Sequence, residues 1–272
     1  MAAVDGFSAV DAAADPSALV GYLDLVAAET TEVERRLQGM LDLAPGRVVL
    51  DVGCGTGDDV RAMAELVGPS GRVIGLDASR TMVAEARRRS SGSALPARFL
   101  VGDAHDLPFP PATVDACRAE RVLQHLADPA RAVAEMARVT RPGGRVAVLE
   151  PDWDTTVIDH PDHALTRRIL DARSARLANP RVGRQLVRLF SGAGLTGITA
   201  LPVTAVAWGL AGAAPGMLEL LRLPGTLEQA AAERRIARRQ GDRWLAEVAD
   251  AAADGSFFAA TTSFLVAGTR PG

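Results

Sequence analysis

The run Val48-Val49-Leu50-Asp51-Val52-Gly53-Cys54-Gly55-Thr56-Gly57 constrains this chain more than any other segment. A short apolar stretch, long enough for one buried strand, leads directly into three glycines at alternate positions. A helical pattern follows from Asp59 to Val67. Glycines at such a junction let the backbone turn sharply and approach a ligand closely at the carboxyl end of a strand. The spacing is G-x-G-x-G, which differs from the G-x-G-x-x-G dinucleotide fingerprint. A plain tight turn would also satisfy the glycines, so the context decides. Asp77 closes the next apolar run, where a carboxylate is placed to accept both hydroxyls of a ribose.

The alternation continues downstream. Strand patterns at Val73 to Leu76, Ala97 to Val101, Val114 to Arg118 and Arg145 to Glu150 alternate with helical patterns at Arg80 to Arg89 and Pro129 to Val139. Pro69-Ser70-Gly71 and Pro142-Gly143-Gly144 punctuate them. Such spacing implies right-handed βαβ units and a parallel sheet. After residue 150 the pattern changes. Helices are expected over His163 to Leu177, Arg184 to Ala193 and within 215–252, with strands over Ile198 to Ala207 and Phe257 to Gly268. Residues 1–16 are Ala/Asp-rich and read as a loose leader. From Ser17 to Leu43 apolar residues recur at helical spacing.

Composition narrows the chemistry. The chain has 272 residues, 48% of them hydrophobic, which is enough to bury a core. A net charge of -3 argues against a protein that coats nucleic acid. All 30 basic residues are arginine. The absence of lysine excludes Schiff-base chemistry and a phosphate-loop lysine. Cys54 and Cys117 are too few for a disulfide framework, and no cluster has metal-ligand spacing, so no metal is expected. The first 20 residues carry no basic residue, unlike a secretory signal, which points to the cytoplasm. Residues 189–218 are uncharged, but Pro202, Pro215 and scattered glycines favour a strand and turn over a spanning helix, so no membrane partner is expected.

Taken together, LDVGCGTG, GLDAS, VGDAHDLPF, VDACRAERVLQHL and RPGGRVAVLE resemble a class I S-adenosylmethionine-dependent methyltransferase. The chain looks most like the small-molecule group that includes the ubiquinone/menaquinone C-methyltransferases. The resemblance covers about Leu37 to Glu150. It implies a Rossmann-like, doubly wound α/β fold with a seven-stranded sheet, mostly parallel with an antiparallel last strand, and a helical cap. Residues 1–45 would form an N-terminal helical lid and 46–272 the cofactor-binding domain. A cap insert is expected at about 155–180 and a helical region at about 212–252. By the same resemblance Asp51, Gly53, Gly55 and Gly57 would wrap the methionine part of S-adenosylmethionine. Asp77 would hold the ribose, Met82 would cover one adenine face, and Asp103 with Ala104 would lie near the adenine amino group.

The acceptor side departs from the family pattern, which favours small or apolar residues after strand four. Here stand Arg118, Glu120 and Arg121. Glu120 is a candidate catalytic residue or one half of a structural ion pair. Arg121 and His125 are candidate acceptor contacts, although His125 would also serve to close a turn. Asp152 and Trp153 follow strand five, where the ring would stack on a flat acceptor and the acid would take a proton or hold a cation. His160 is a candidate base. Tyr22, the only tyrosine, lies on the leading segment and would face cofactor or acceptor. The expected reaction is methyl transfer to a small aromatic or heteroaromatic metabolite at carbon, nitrogen or oxygen, by a monomer or homodimer. Two alternatives stay open: a cofactor-binding cyclase or regulatory subunit, and an RNA or protein methyltransferase. The arginines from Arg234 to Arg243 interleave with Glu233 and Asp242, as on a solvated helix face.

Overall fold

A computed structural model describes residues 10–12, 19–21, 23, 33–209, 216–218 and 221–272. Strands β1 (Val48–Val52), β2 (Arg72–Asp77), β3 (Ala97–Val101), β4 (Val114–Glu120) and β5 (Thr140–Ile158) pair in parallel as β3-β2-β1-β4-β5. Strand β7 (Phe258–Thr269) adds antiparallel to β5, and β6 (Thr196–Trp208) forms the outer edge antiparallel to β7. The seven-stranded, mostly parallel sheet and its antiparallel last strand are those the resemblance implies.

Helices α1 (residues 33–39) and α2 (Asp58–Val67) cover one face. On the strands beneath them, Val49, Ala116, Ala147 and Leu265 point into a core with Leu37, Leu41, Met63 and Val67. Period-two alternation sends Leu50, Val52, Cys117, Ala119, Val146 and Val148 to the other face. There they meet α4 (Pro129–Val139) and α6 (Val182–Gly192). Helix α3 (Arg80–Arg89) begins just past β2, capped by Ser79, whose hydroxyl accepts from the Met82 N–H at 3.1 Å. The strands buried on both faces read as near-continuous apolar runs for this reason.

The structure departs from expectation beyond Glu150. Strand β5 does not stop there but continues to Ile158, past the start of the expected insert. Thr155, Thr156, Val157 and Ile158 are β-branched, and the last two pair with Ala260 and Ala259 across a bulge that follows Asp152. The extension runs on past the carboxyl end of β4, whose last pair is Glu120 with Leu149. Helices α5 (His163–Ser174), α7 (Leu223–Ala232) and α8 (Arg238–Asp254) pack on it around a separate apolar core. Trp244 is its centre, fully buried, with Nε1 donating to the Thr166 hydroxyl at 2.9 Å. The uncharged run of residues 189–218 supplies edge strand β6, and among the described residues no helix is long and apolar enough to cross a membrane.

Trp244→Ala should therefore loosen the upper core first. The expected cost is about 3–5 kcal/mol, as for other large-to-small changes at buried aromatics. Hydrogen exchange should show amides of α5 and α8 losing protection while β1, β2 and β4 keep theirs. Uniform loss across the sheet would count against a separate upper core.

Candidate functional site

The carboxyl ends of β1, β2 and β4 meet at one edge of the sheet, where an open α/β fold places its ligand. Gly53, Gly55 and Gly57 all have positive φ, at 74°, 51° and 78°. At Gly53 a Cβ would lie 2.2 Å from a Val122 methyl carbon, and at Gly57 a Cβ would lie 2.5 Å from the Phe99 ring. With φ positive as well, a side chain at either turn would be strained and would have to displace Val122 or Phe99. Gly57 is also the left-handed N-cap of α2, so the positive end of that helix opens onto the glycine turn.

Asp77 ends β2 and faces the same turn. Its Oδ2 accepts from the Gly55 N–H at 2.9 Å and its Oδ1 from the Ser79 N–H at 2.9 Å. Each oxygen keeps a lone pair, a pair of acceptors suited to a vicinal diol. Burial pushes the Asp77 carboxyl up, against the pull of the two backbone donors. A diol donating to it would offset that burial. Met82 lies one turn into α3 with its side chain buried. Asp103 accepts on Oδ1 from both the backbone N–H and ring Nδ1 of His105, at 2.8 and 2.7 Å, and no described residue bonds Oδ2. Ala104 is buried beside it. A glycine cradle, a two-acceptor acid, a buried apolar side chain and a second open carboxylate fit an adenosyl group.

Behind the cradle lies a buried charge network. Register places Asp51 of β1 beside Arg118 of β4, and the two-residue period puts Glu120 on the same face as Arg118. Arg118 is 0% exposed. Its guanidinium reaches Asp59 at 2.8 Å from the first turn of α2, Glu120 at 2.5 Å and Asp51 at 3.5 Å. Burial works against the charge on Arg118, but Asp59, Asp51 and Glu120 outweigh it and hold its pKa above the ordinary value. Burial raises the Asp51 carboxyl to about 7, opposed by Arg118 and reinforced by Asp59, Glu120 and Asp77. Arg121 then grips Glu120 at 2.8 Å and comes within 4.0 Å of Glu34 on α1. Glu34, Asp59 and Glu120 lie close enough to surround a cation, and two guanidiniums already supply positive charge there.

Glu120 is thus a carboxylate clasped by two arginines. Arg121 itself has φ 54°, an uncommon conformation for a side-chain-bearing residue. The turn after it is held by Glu150, whose Oε1 accepts from the N–H groups of Val122 and Leu123 at 2.7 and 2.6 Å. His125 closes the following 3-10 turn, donating its N–H to the Val122 carbonyl at 2.9 Å.

The remaining candidates have protein partners. Trp153 is buried, with Nε1 donating to Gln124 at 2.8 Å and the Arg173 guanidinium 4.3 Å above its ring. Asp152 is fully buried in a two-pronged pair with Arg184. His160 stacks on Trp244, accepts the Asp162 N–H on Nδ1 at 3.0 Å and meets Glu247 through Nε2 at 2.9 Å. Nδ1 is thus hydrogen-bonded, whereas Nε2 is close to the Glu247 carboxylate without hydrogen-bond geometry. Tyr22 lies outside the described residues.

Several residues of this region were not legible as a site in the sequence. Asp59 and Glu34 look like ordinary helix acids, and only the register of β1 and β4 shows that a buried arginine awaits them. Ser79 carried a readable signal, standing just before a helical run as an N-cap does. Glu150 closed a recognised motif, but its grip on the turn after β4 depends on strand pairing.

Burial raises the Glu150 carboxyl from 4.5 to about 8, against the backbone donors of Leu123, Val122 and Gln124. Between those pH values the native state holds a proton that the unfolded chain has released. This contribution to stability is therefore lost as pH rises through that window. Glu150→Gln mimics the neutral acid and should flatten the decline in urea-unfolding free energy between about pH 5 and about pH 8. Parallel slopes for parent and variant would show that Glu150 does not hold the proton.

A family profile described as a methyltransferase domain matches residues 50–148. The chain is 43% identical over 256 residues to an uncharacterized 37.1 kDa protein in transposon TN4556 of Streptomyces fradiae, covering 91% of this chain and 70% of that one. It is 37% identical over 119 residues to a demethylmenaquinone methyltransferase of Bacillus cereus, covering 43% of this chain and 50% of that one. The chain thus spans about half the length of that curated methyltransferase. A crystal structure of geranyl diphosphate C-methyltransferase from Streptomyces coelicolor A3(2), with Mg2+, geranyl diphosphate and S-adenosyl-L-homocysteine, shares the fold. The TM-score is 0.53 at 19% identity, over 88% of this chain and 80% of that one.

Proposed function

This chain belongs to the class I S-adenosylmethionine-dependent methyltransferases, and on that premise we propose that it methylates a small aromatic or heteroaromatic acceptor held at the tip of β4. One observation carries the placement. The glycine cradle and Asp77 fix the cofactor side at the ends of β1 and β2, and the adjacent β4 tip presents Glu120 and Arg121. The named substrate of one relative, a demethylmenaquinone, supports a ring acceptor.

When bound, S-adenosylmethionine supplies a methyl group on a sulfonium, already a strong electrophile. The chain's task is to hold the acceptor atom in line and to exclude water. Orientation of this kind is worth on the order of 7–11 kcal/mol. Asp77 and the glycine turn fix the donor side. Arg118 holds Glu120, Glu120 holds Arg121, and Arg121 is the part-exposed end of this chain of charges. An acceptor oxygen or ring nitrogen is positioned by the Arg121 guanidinium, which favours the deprotonated form of a phenol or enol. Glu120, clasped by Arg118 and Arg121, sets the angle of Arg121. Trp153 and His160 pack in the upper core, and Asp152 is paired with Arg184 of α6.

The test is incubation with S-adenosylmethionine and a panel of phenols, indoles and quinols, read as a mass gain of one methyl group. Arg121→Met should lower kcat/KM by about 10–100-fold, as loss of one charged positioning contact does. Asp77→Ala should weaken S-adenosylhomocysteine binding by at least about tenfold, or about 1.4 kcal/mol. Cofactor binding with no methylated product across the panel would overturn the acceptor class. Unchanged affinity in Asp77→Ala would overturn the site.

A further inference from the structure

The turn after β4 is held from two sides. On the sheet side, the Leu149 carbonyl accepts the Arg121 N–H at 2.9 Å, and Glu150 accepts the next two N–H groups. On the other side, the Gln124 side chain reaches back and its Nε2 donates to the Arg121 carbonyl at 3.1 Å. Gln124 is 3% exposed, and its Oε1 accepts from Trp153 Nε1 at 2.8 Å. An indole N–H only donates, so the amide end that faces it must be the oxygen. The amide NH2 is thereby left facing the Arg121 carbonyl. The contacts run Trp153–Gln124–Arg121 without a break.

Trp153 is itself held in place. Its backbone N–H donates to the Pro180 carbonyl at 3.0 Å, and the Arg173 guanidinium of α5 lies 4.3 Å from its ring centroid. Arg173 in turn donates through Nε to the Leu221 carbonyl at 2.9 Å. Asn179 secures the backbone of the same turn, with its N–H on the Gln124 carbonyl at 2.9 Å and its Nδ2 on the Leu126 carbonyl at 2.5 Å. The relay ends on a backbone that needs support. Arg121 has φ 54°, a region that a side-chain-bearing residue keeps only where its surroundings hold it. The direction of that backbone sets where its Cα–Cβ bond points, and so where its guanidinium lies.

We propose that Gln124 is a positioning residue for the acceptor: it transmits the packing of Trp153 to the Arg121 backbone and so sets the angle at which the Arg121 guanidinium meets an acceptor oxygen or ring nitrogen. The proposal rests on the acceptor role given to Arg121 above. Glu120 holds the tip of the Arg121 side chain, and Gln124 holds its root. A long side chain pinned only at its tip keeps several rotamers, and fixing both ends leaves few. Trp153 thereby has a part in the site without its ring touching the acceptor.

The experiment is binding of 4-nitrophenolate, followed by its visible absorbance, to full-length protein saturated with S-adenosylhomocysteine. The variants are Arg121→Met, Gln124→Met, the double variant and Trp153→Phe. Arg121→Met and Gln124→Met should each weaken phenolate binding at least about tenfold. The double variant should match Arg121→Met within about twofold, because Gln124 acts through that side chain. Trp153→Phe, which frees the amide to turn, should weaken binding in the same direction by less. S-adenosylhomocysteine affinity should be kept throughout. Unchanged phenolate binding in Gln124→Met, with loss in Arg121→Met, overturns the proposal alone, even if the unfolding temperature falls. Losses that multiply in the double variant also overturn it. If Gln124→Met loses S-adenosylhomocysteine, Trp153→Phe decides: phenolate affinity equal to the parent's, or loss of S-adenosylhomocysteine there too, overturns the proposal. No phenolate binding by the parent, or none lost in Arg121→Met, overturns instead the acceptor placement on which it rests.

Discussion

The guanidinium of Arg118 is the contact on which the rest of the site depends. It is fully buried, and a buried cation persists only if acids surround it. Asp51 arrives from β1, Asp59 from the first turn of α2 and Glu120 from the next position on the same face of β4. One side chain thus ties the strand before the glycine turn, the helix after it and the strand beside it. Removing one partner from such a buried cluster typically costs about 3–5 kcal/mol, because the remaining charges stay desolvated. The glycine turn lies between Asp51 and Asp59 in sequence, so two of these ion pairs bracket it.

A second constraint acts on the acceptor side. Glu150 catches the N–H groups after β4, and Arg121 is left in a left-handed conformation with its guanidinium turned to Glu120. The two constraints meet at Glu120, which connects the donor cradle to the segment that would face an acceptor. Above them, the β5 extension builds a second core around Trp153 and Trp244. The sheet core and the upper core are therefore separate apolar clusters, joined by the continuous strands β5 and β7 and by the Trp153–Gln124 hydrogen bond.

Asp11 reaches the start of α3 from far away in sequence, where its carboxylate accepts from the Ser79 hydroxyl and the Arg80 and Thr81 N–H groups. The sequence alone made the first 16 residues a loose leader, because Ala/Asp-rich composition shows no periodicity. A carboxylate that finds a helix start some seventy residues away leaves no local signature.

Local physics was legible in the chain itself. The apolar run of Val48 to Val52, the alternate glycines and the regular strand–helix spacing determine a parallel α/β sheet with a ligand turn after β1. The bounds of α3, β3 and α4 follow from Ser79, Pro96 and Asp128–Pro129, since caps and prolines act on their own neighbours. Only the tertiary structure decided which charges face one another. Whether Glu120 is free or clasped depends on the β1–β4 register and on the first turn of α2. Whether Trp153 and His160 line a pocket or fill a core depends on β5 running on past Glu150 to pair with β7. Those outcomes are set by long-range pairing, and a residue's immediate neighbours in sequence carry no record of them.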